Sequence, residues 1–231
     1  MTERHPIEAY ADALEASRAA AEAIADWLVA GLAEDDRASF VATGGSTPGE
    51  VYDLLSTLPL PWEQISVTLS DERWVAPDQP ESNARLLRER LLVGAAAAAN
   101  FVPLWSDLAS AEDAAEAAEA VIAELLPADV VLLGMGEDGH IASLFPGSPV
   151  LEEGLDPLGG SLVIAAPKGD PAPPQDRLSL TLYALRQSYL ILVLIRGEAK
   201  RRVIEEGAGL PIHALLDAAG ETPVRILWSP S

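Results

Sequence analysis

Two periodicities divide this chain. Ile7, Tyr10, Leu14, Ile24, Trp27 and Leu28 recur at helical spacing, with Pro6 before them and Gly31 behind. That pattern predicts a helix over 7–31. Further along come short apolar runs at Ser39–Ala42, Ile65–Leu69, Asp129–Leu133, Tyr189–Ile195 and Val224–Trp228. Each has the length and composition of a buried strand. Phe101–Leu104, Ser161–Ala166 and Leu178–Leu182 are strand-like as well. Between the runs lie helical patterns: one through Val51, Leu54 and Leu55, one from Ser82 to about Leu92, one over Ala111–Leu126 stopped by Pro127, and one over Gly197–Glu206. Ala95–Ala99 reads as the end of a helix, and the Pro-rich stretch Pro167–Pro174 as a loop at the surface or over a site. Strands alternating with helices predict an α/β protein with a mostly parallel sheet covered on both faces. With no repeat and no evident linker, residues 1–231 are expected to form a single domain.

Composition narrows the function. The hydrophobic share of 49% supplies ample core, yet the longest strongly apolar run, Leu190–Ile195, is far too short to span a bilayer. The first residues lack the basic segment and apolar stretch of a secretory leader. Cysteine is absent, which removes disulfides and thiolate metal sites. A cytoplasmic location is therefore expected. Fifteen Lys and Arg against 36 Asp and Glu leave a net charge of −21. Such a surface repels nucleic acid and anionic membranes, so neither is expected as a partner. The only lysines are Lys168 and Lys200. Where arginine is the default cation, a retained lysine stands out as a compact charge suited to phosphate.

The candidate chemistry sits where strands end, which is where open α/β sheets bind ligands. Thr43-Gly44-Gly45-Ser46-Thr47-Pro48-Gly49 joins a strand to a helix. Its glycines let backbone N–H groups approach an anion, Ser46 and Thr47 add hydroxyls, and the helix behind them points its positive end inward. Ser70-Asp71-Glu72-Arg73-Trp74 comes after the next strand, and its charges are expected to face solvent or a polar cleft. Gly134-Met-Gly-Glu-Asp138-Gly-His140 comes after Asp129–Leu133. His140 is one of three histidines and the only one set among glycines at a strand exit, a place for proton transfer near neutral pH. His213 reads as structural or surface, and His5 as part of a frayed terminus. His140 and Asp138 make only half a metal site, and neither His5 nor His213 has a partner at ligand spacing, so no metal is expected. Arg177 and Lys200 are both placed to reach the same sheet edge and neutralise a dianion.

As an ordered set, these segments resemble the glucosamine-6-phosphate isomerase/6-phosphogluconolactonase family. The matching elements are Thr43–Pro48, Ser70–Arg73 with Pro80-Glu-Ser-Asn83, Leu133–Gly147, Arg177 with Leu180-Thr-Leu182, and Gly197-Glu-Ala-Lys200. The resemblance implies a three-layer α/β/α fold, no organic cofactor, and a small sugar phosphate as partner of a monomer or weak oligomer. It also implies hydrolysis of 6-phospho-D-glucono-1,5-lactone to 6-phosphogluconate, in the oxidative pentose phosphate pathway. On that reading His140 activates water, while Asp138 or Asp71 orients the imidazole or binds sugar hydroxyls. Arg73 serves the oxyanion or the phosphate. Gly44, Gly45, Ser46, Thr47, Arg177 and Lys200 hold the phosphate. Amino-sugar-phosphate deaminases of similar fold usually have Asp-Glu-Tyr where this chain has Asp71-Glu-Arg73, and Phe-Asn-Glu where it has Ser143-Leu-Phe145. A non-catalytic sugar-phosphate sensor would usually carry a basic DNA-binding module, for which this acidic chain has no room.

Overall fold

A computed structural model describes residues 5–167 and 175–231. Lys168 and most of the Pro-rich stretch lie outside the described residues. Seven strands form one parallel sheet: β1 (Ile7–Ala9), β2 (Ala38–Ala42), β3 (Ile65–Leu69), β5 (Asn100–Phe101), β6 (Val130–Leu133), β9 (Ile191–Arg196) and β10 (Val224–Ser229). Their order is β1-β10-β9-β6-β2-β3-β5. The chain builds outward from β2 through β3 to β5 on one side, and from β6 through β9 to β10 on the other. The two directions meet between β2 and β6, which pair in register Phe40↔Val130 and Val41↔Val131. A crevice opens beyond the carboxyl ends of strands at such a switch point.

The central strands read as continuous apolar runs because both faces are covered: every residue of β2 and β6 is buried. Helix α1 (Ala13–Asp35) packs across β2, β6, β9 and β10, and against α2 (Gly49–Ser56). The expected α/β class with a mostly parallel sheet is the observed one.

Three sequence expectations are corrected. The predicted helix over 7–31 is a strand and then a helix. Ile7–Ala9 pairs in parallel with Ile226–Trp228, and Asp12 then starts α1 by accepting the Glu15 N–H at 2.9 Å. Gly31 does not end that helix. It lies inside α1 because a Cβ there would stand 2.0 Å from Asp129 Oδ1, at the entry to β6. His5 is not frayed. It is buried, with Nε2 donating to the Leu216 carbonyl at 3.1 Å.

The charged run after β3 does put Asp71 and Arg73 on a polar cleft, but it is not a loop. Asp71–Arg73 is a strand, β4, in a separate antiparallel sheet of order β4-β8-β7, with β8 at Arg177–Leu180 and β7 at Val163–Ala166. The expected strand Leu178–Leu182 ends early because Thr181 caps the short helix α6 (Leu182–Leu185), accepting the Ala184 N–H at 3.1 Å. The remaining helices are α3 (Asn83–Arg90), α4 (Ala111–Ala123), α5 (Leu151–Gly154), α7 (Glu198–Glu206) and α8 (Pro211–Ala218). Helix α8 had no clear signal beyond Pro211 at its first turn. Buried His213 anchors it, accepting the Leu210 N–H at Nδ1 and donating from Nε2 to the Val203 carbonyl.

Candidate active site

Every residue proposed from sequence for chemistry or phosphate binding lines one cleft at the β2/β6 switch point, except Asp138. The exits of β2 and β6 lie side by side, and they carry the glycine loop and the His140 loop. Lys200 comes from the first turn of α7, just beyond β9. Arg73, Asp71 and Arg177 come from the small antiparallel sheet.

The glycine loop needs its glycines for conformation and for space. Gly45 has φ +91°, a conformation that glycine adopts without cost. Gly44 is required by packing, since a Cβ there would fall 2.0 Å from Asn83 Oδ1. None of the backbone N–H groups of Gly44, Gly45, Ser46 and Thr47 donates to another described residue. Helix α2 begins directly behind them with no side-chain cap. These four residues line the cleft, with the positive end of α2 just beyond them in the chain.

The histidine loop is a tight turn. The Gly136 N–H donates to the His140 carbonyl at 3.0 Å, and Gly139 turns the chain at φ +78°. His140 Nδ1 stands 2.6 Å from Asp138 Oδ1. A carboxylate only accepts, so Nδ1 carries the hydrogen, and in the neutral ring the lone pair is on Nε2. Asp138 is not among the residues that line the cleft, and it is the acid that stands at hydrogen-bond distance from the ring. Phe145 stacks against the same imidazole at 4.2 Å between ring centroids, with the Arg177 guanidinium 5.1 Å from the Phe145 centroid.

The β4–β8 pairing explains the cations. Asp71 faces Ser179 and Arg73 faces Arg177 across the antiparallel ladder. Directly opposed residues project on one face, so Asp71, Arg73 and Arg177 share the cleft side while Glu72 projects away. Glu72 is fully buried and is no part of a solvated run. Its carboxylate accepts from Ser82 Oγ and from the N–H groups of Arg73, Asn83 and Ala84, bolting β4 to the start of α3. Burial raises its pKa above the usual carboxylate range, and these donors pull it back. Arg177 is 4% exposed, and desolvation lowers its pKa while the nearby Asp71 charge opposes that shift.

Asn83 is a polar cleft residue to which sequence reasoning gave no role. Its amide donates to the Asp71 carbonyl at 2.8 Å, and its Oδ1 abuts Gly44. The available signal was an amide side chain directly after a helix-capping serine, in a segment already singled out for resemblance. Among the described residues, no cluster of His, Asp and Glu suits a metal ion, and no helix is long and apolar enough to cross a membrane.

A glycine loop and a histidine paired with an aspartate, sharing one cleft with Arg73, Arg177 and Lys200, are the arrangement of an enzyme of the α/β class. Comparison with known proteins narrows that class. Residues 11–227 match the family described as glucosamine-6-phosphate isomerases/6-phosphogluconolactonase, and the chain belongs to that family. A 6-phosphogluconolactonase of Caulobacter vibrioides is 44% identical over 225 residues, covering 96% of this chain and 97% of that protein. One from Mesorhizobium japonicum is 40% identical over 230 residues, covering 96% and 94%. The crystal structure of a 6-phosphogluconolactonase from Shewanella baltica superposes with a TM-score of 0.92 at 34% identity, covering 99% of each chain.

Proposed function

We propose that this protein hydrolyses 6-phospho-D-glucono-1,5-lactone to 6-phosphogluconate. The observation that carries the reading is the Asp138–His140 pair facing the uncapped glycine loop across one cleft; the full-length likeness to 6-phosphogluconolactonases supports it. A lactone carbonyl needs a water, a base and stabilisation of developing charge. His140 Nε2 takes a proton from water as the water oxygen bonds to the carbonyl carbon. The resulting imidazolium is stabilised by Asp138. It returns the proton to the ring oxygen as the carbon–oxygen bond breaks and the acid is released. Arg73 faces the developing oxyanion, and Asp71 balances the buried guanidinium charge. The N–H groups and hydroxyls of Gly44, Gly45, Ser46 and Thr47, with Arg177 and Lys200, hold the phosphate. Binding energy from that remote dianion positions the lactone for attack.

The test is a coupled assay. Fresh lactone is generated by glucose-6-phosphate dehydrogenase, and 6-phosphogluconate dehydrogenase in excess reports the acid. Acceleration well above spontaneous ring opening is expected. Folded protein that gives none overturns the reading, and glucosamine 6-phosphate is then the next substrate to try.

Lys200 supplies a pH prediction. Desolvation lowers its pKa, with Glu137 and Asp138 pulling it back up. The protonated amine binds the dianion, so affinity is present below the lowered pKa and lost as pH rises through it. That loss begins earlier than for an ordinary exposed lysine. The phosphate is already a dianion from roughly pH 7.5 upward, so calorimetric titration of 6-phosphogluconate toward pH 10 isolates the amine. Wild-type affinity is expected to fall across that range, and Lys200→Met to be weaker but flatter.

A further inference from the structure

We propose that Ser143 is a positioning residue that holds the Asp71 carboxylate in the cleft wall and keeps it from turning onto Arg73. The inference deepens the lactonase reading and rests on it.

Ser143 is completely buried, yet it is polar and outside the groups assigned to chemistry. Its Oγ donates to Asp71 Oδ2 at 2.7 Å, and its backbone N–H donates to Ser179 Oγ at 3.1 Å. One residue of the histidine loop thus bonds both β4 and β8, across sequence separations of 72 and 36. The loop reaches that point through an unusual backbone. The Leu144 N–H closes a turn onto the Ile141 carbonyl at 2.9 Å, with Ala142 at φ +47° in the left-handed region. A side chain with a Cβ is strained there. The turn is sustained by what its next residue grips.

The carboxylate it grips is unusual too. Ser70 Oγ stands 3.1 Å from Asp71 Oδ1, so each carboxylate oxygen faces a buried hydroxyl. No ion pair joins Asp71 to Arg73. Arg73 projects from the same face of the same strand two residues on, and its Nη1 donates to the Glu81 carbonyl at 2.5 Å. A carboxylate released from Ser143 is free to turn toward Arg73, which projects from the same strand face. Pairing there would neutralise the cation aimed at the oxyanion.

The experiment is a double-mutant cycle in the lactonase assay, with Ser143→Ala, Asp71→Asn and the double variant, melting temperatures measured throughout. Wild-type turnover tests the parent reading by itself; without it that reading falls, whatever the variants do. Given turnover, Ser143→Ala is expected to lower kcat/KM by about 10- to 100-fold, as for loss of a hydrogen bond to a charged group. In the Asp71→Asn background the same substitution is expected to cost less than about twofold, because the group it positions no longer carries charge. Equal losses in both backgrounds, or no loss in the wild type, overturn the proposal. If Ser143→Ala melts below the assay temperature, Ser179→Ala carries the cycle instead, since it removes the acceptor of the Ser143 N–H together with a bond to the neighbouring Leu180 carbonyl. Non-additivity with Asp71→Asn again supports the proposal, and additivity overturns it.

Discussion

Replacing His140 by alanine is expected to lower kcat by about 100- to 10,000-fold, the range for loss of a positioned general base. Affinity for 6-phosphogluconate is expected to stay within a few fold. The two effects separate because the groups separate. His140 reaches the cleft from the β6 exit, whereas the dianion is assigned to the β2 loop, β8 and α7. His140 is also only part-buried at its side chain, so truncation leaves no sealed void and stability changes little. Rates are read against spontaneous lactone opening, and binding by calorimetry on the same preparation. Turnover close to wild type would remove His140 from the chemistry.

Gly136→Ala is expected to reproduce most of that loss without touching any reacting atom. A Cβ at this position would lie 2.2 Å from His140 Nδ1 and 2.4 Å from Asp138 Oδ1. Contacts that short are not sustained, so the imidazole and the carboxylate must part. The ring then loses the hydrogen bond that fixes its tautomer and its aim. A fall in kcat of about 100-fold or more is expected, since an error of about 1 Å at a reacting group costs that much. Binding of 6-phosphogluconate is expected to persist. Gly45→Ala is the informative contrast: a Cβ there meets nothing within 4 Å, but the φ of +91° strains any residue with a side chain. Its defect belongs to the anion cradle and is expected in KM first. Reversal of these two patterns would exchange the roles assigned to the loops.

Much of this was legible along the chain, for reasons tied to particular residues. Strands β2, β3, β6, β9 and β10 announced themselves because a parallel sheet buried on both faces leaves uninterrupted apolar runs. Candidate chemistry was found where those runs ended in glycine. What escaped was set by partners distant in sequence. Ile7 shares helical spacing with Tyr10 and Leu14, and only the pairing of Ile7–Ala9 with β10, more than two hundred residues away, makes that segment a strand. Asp71–Arg73 is too polar to read as a strand, yet Glu72 is buried by donors from α3 that no local window contains. The acid behind His140 was undecided between Asp138 and Asp71. Only the geometry separates a carboxylate at hydrogen-bond distance from the ring from one gripped by hydroxyls.

The division of the strands into two sheets has a thermodynamic consequence. The proposed base and anion cradle ride on the parallel sheet, while Arg73 and Arg177 ride on the three-stranded one. Sheets that share no ladder open as separate cooperative units, so the smaller can fray while the larger stays closed. A bound dianion that bridges both makes each opening cost the affinity it breaks. Amide exchange in β4 and β8 then becomes a gauge of occupancy, slowing with ligand, while β2 and β6 keep the pace of global unfolding.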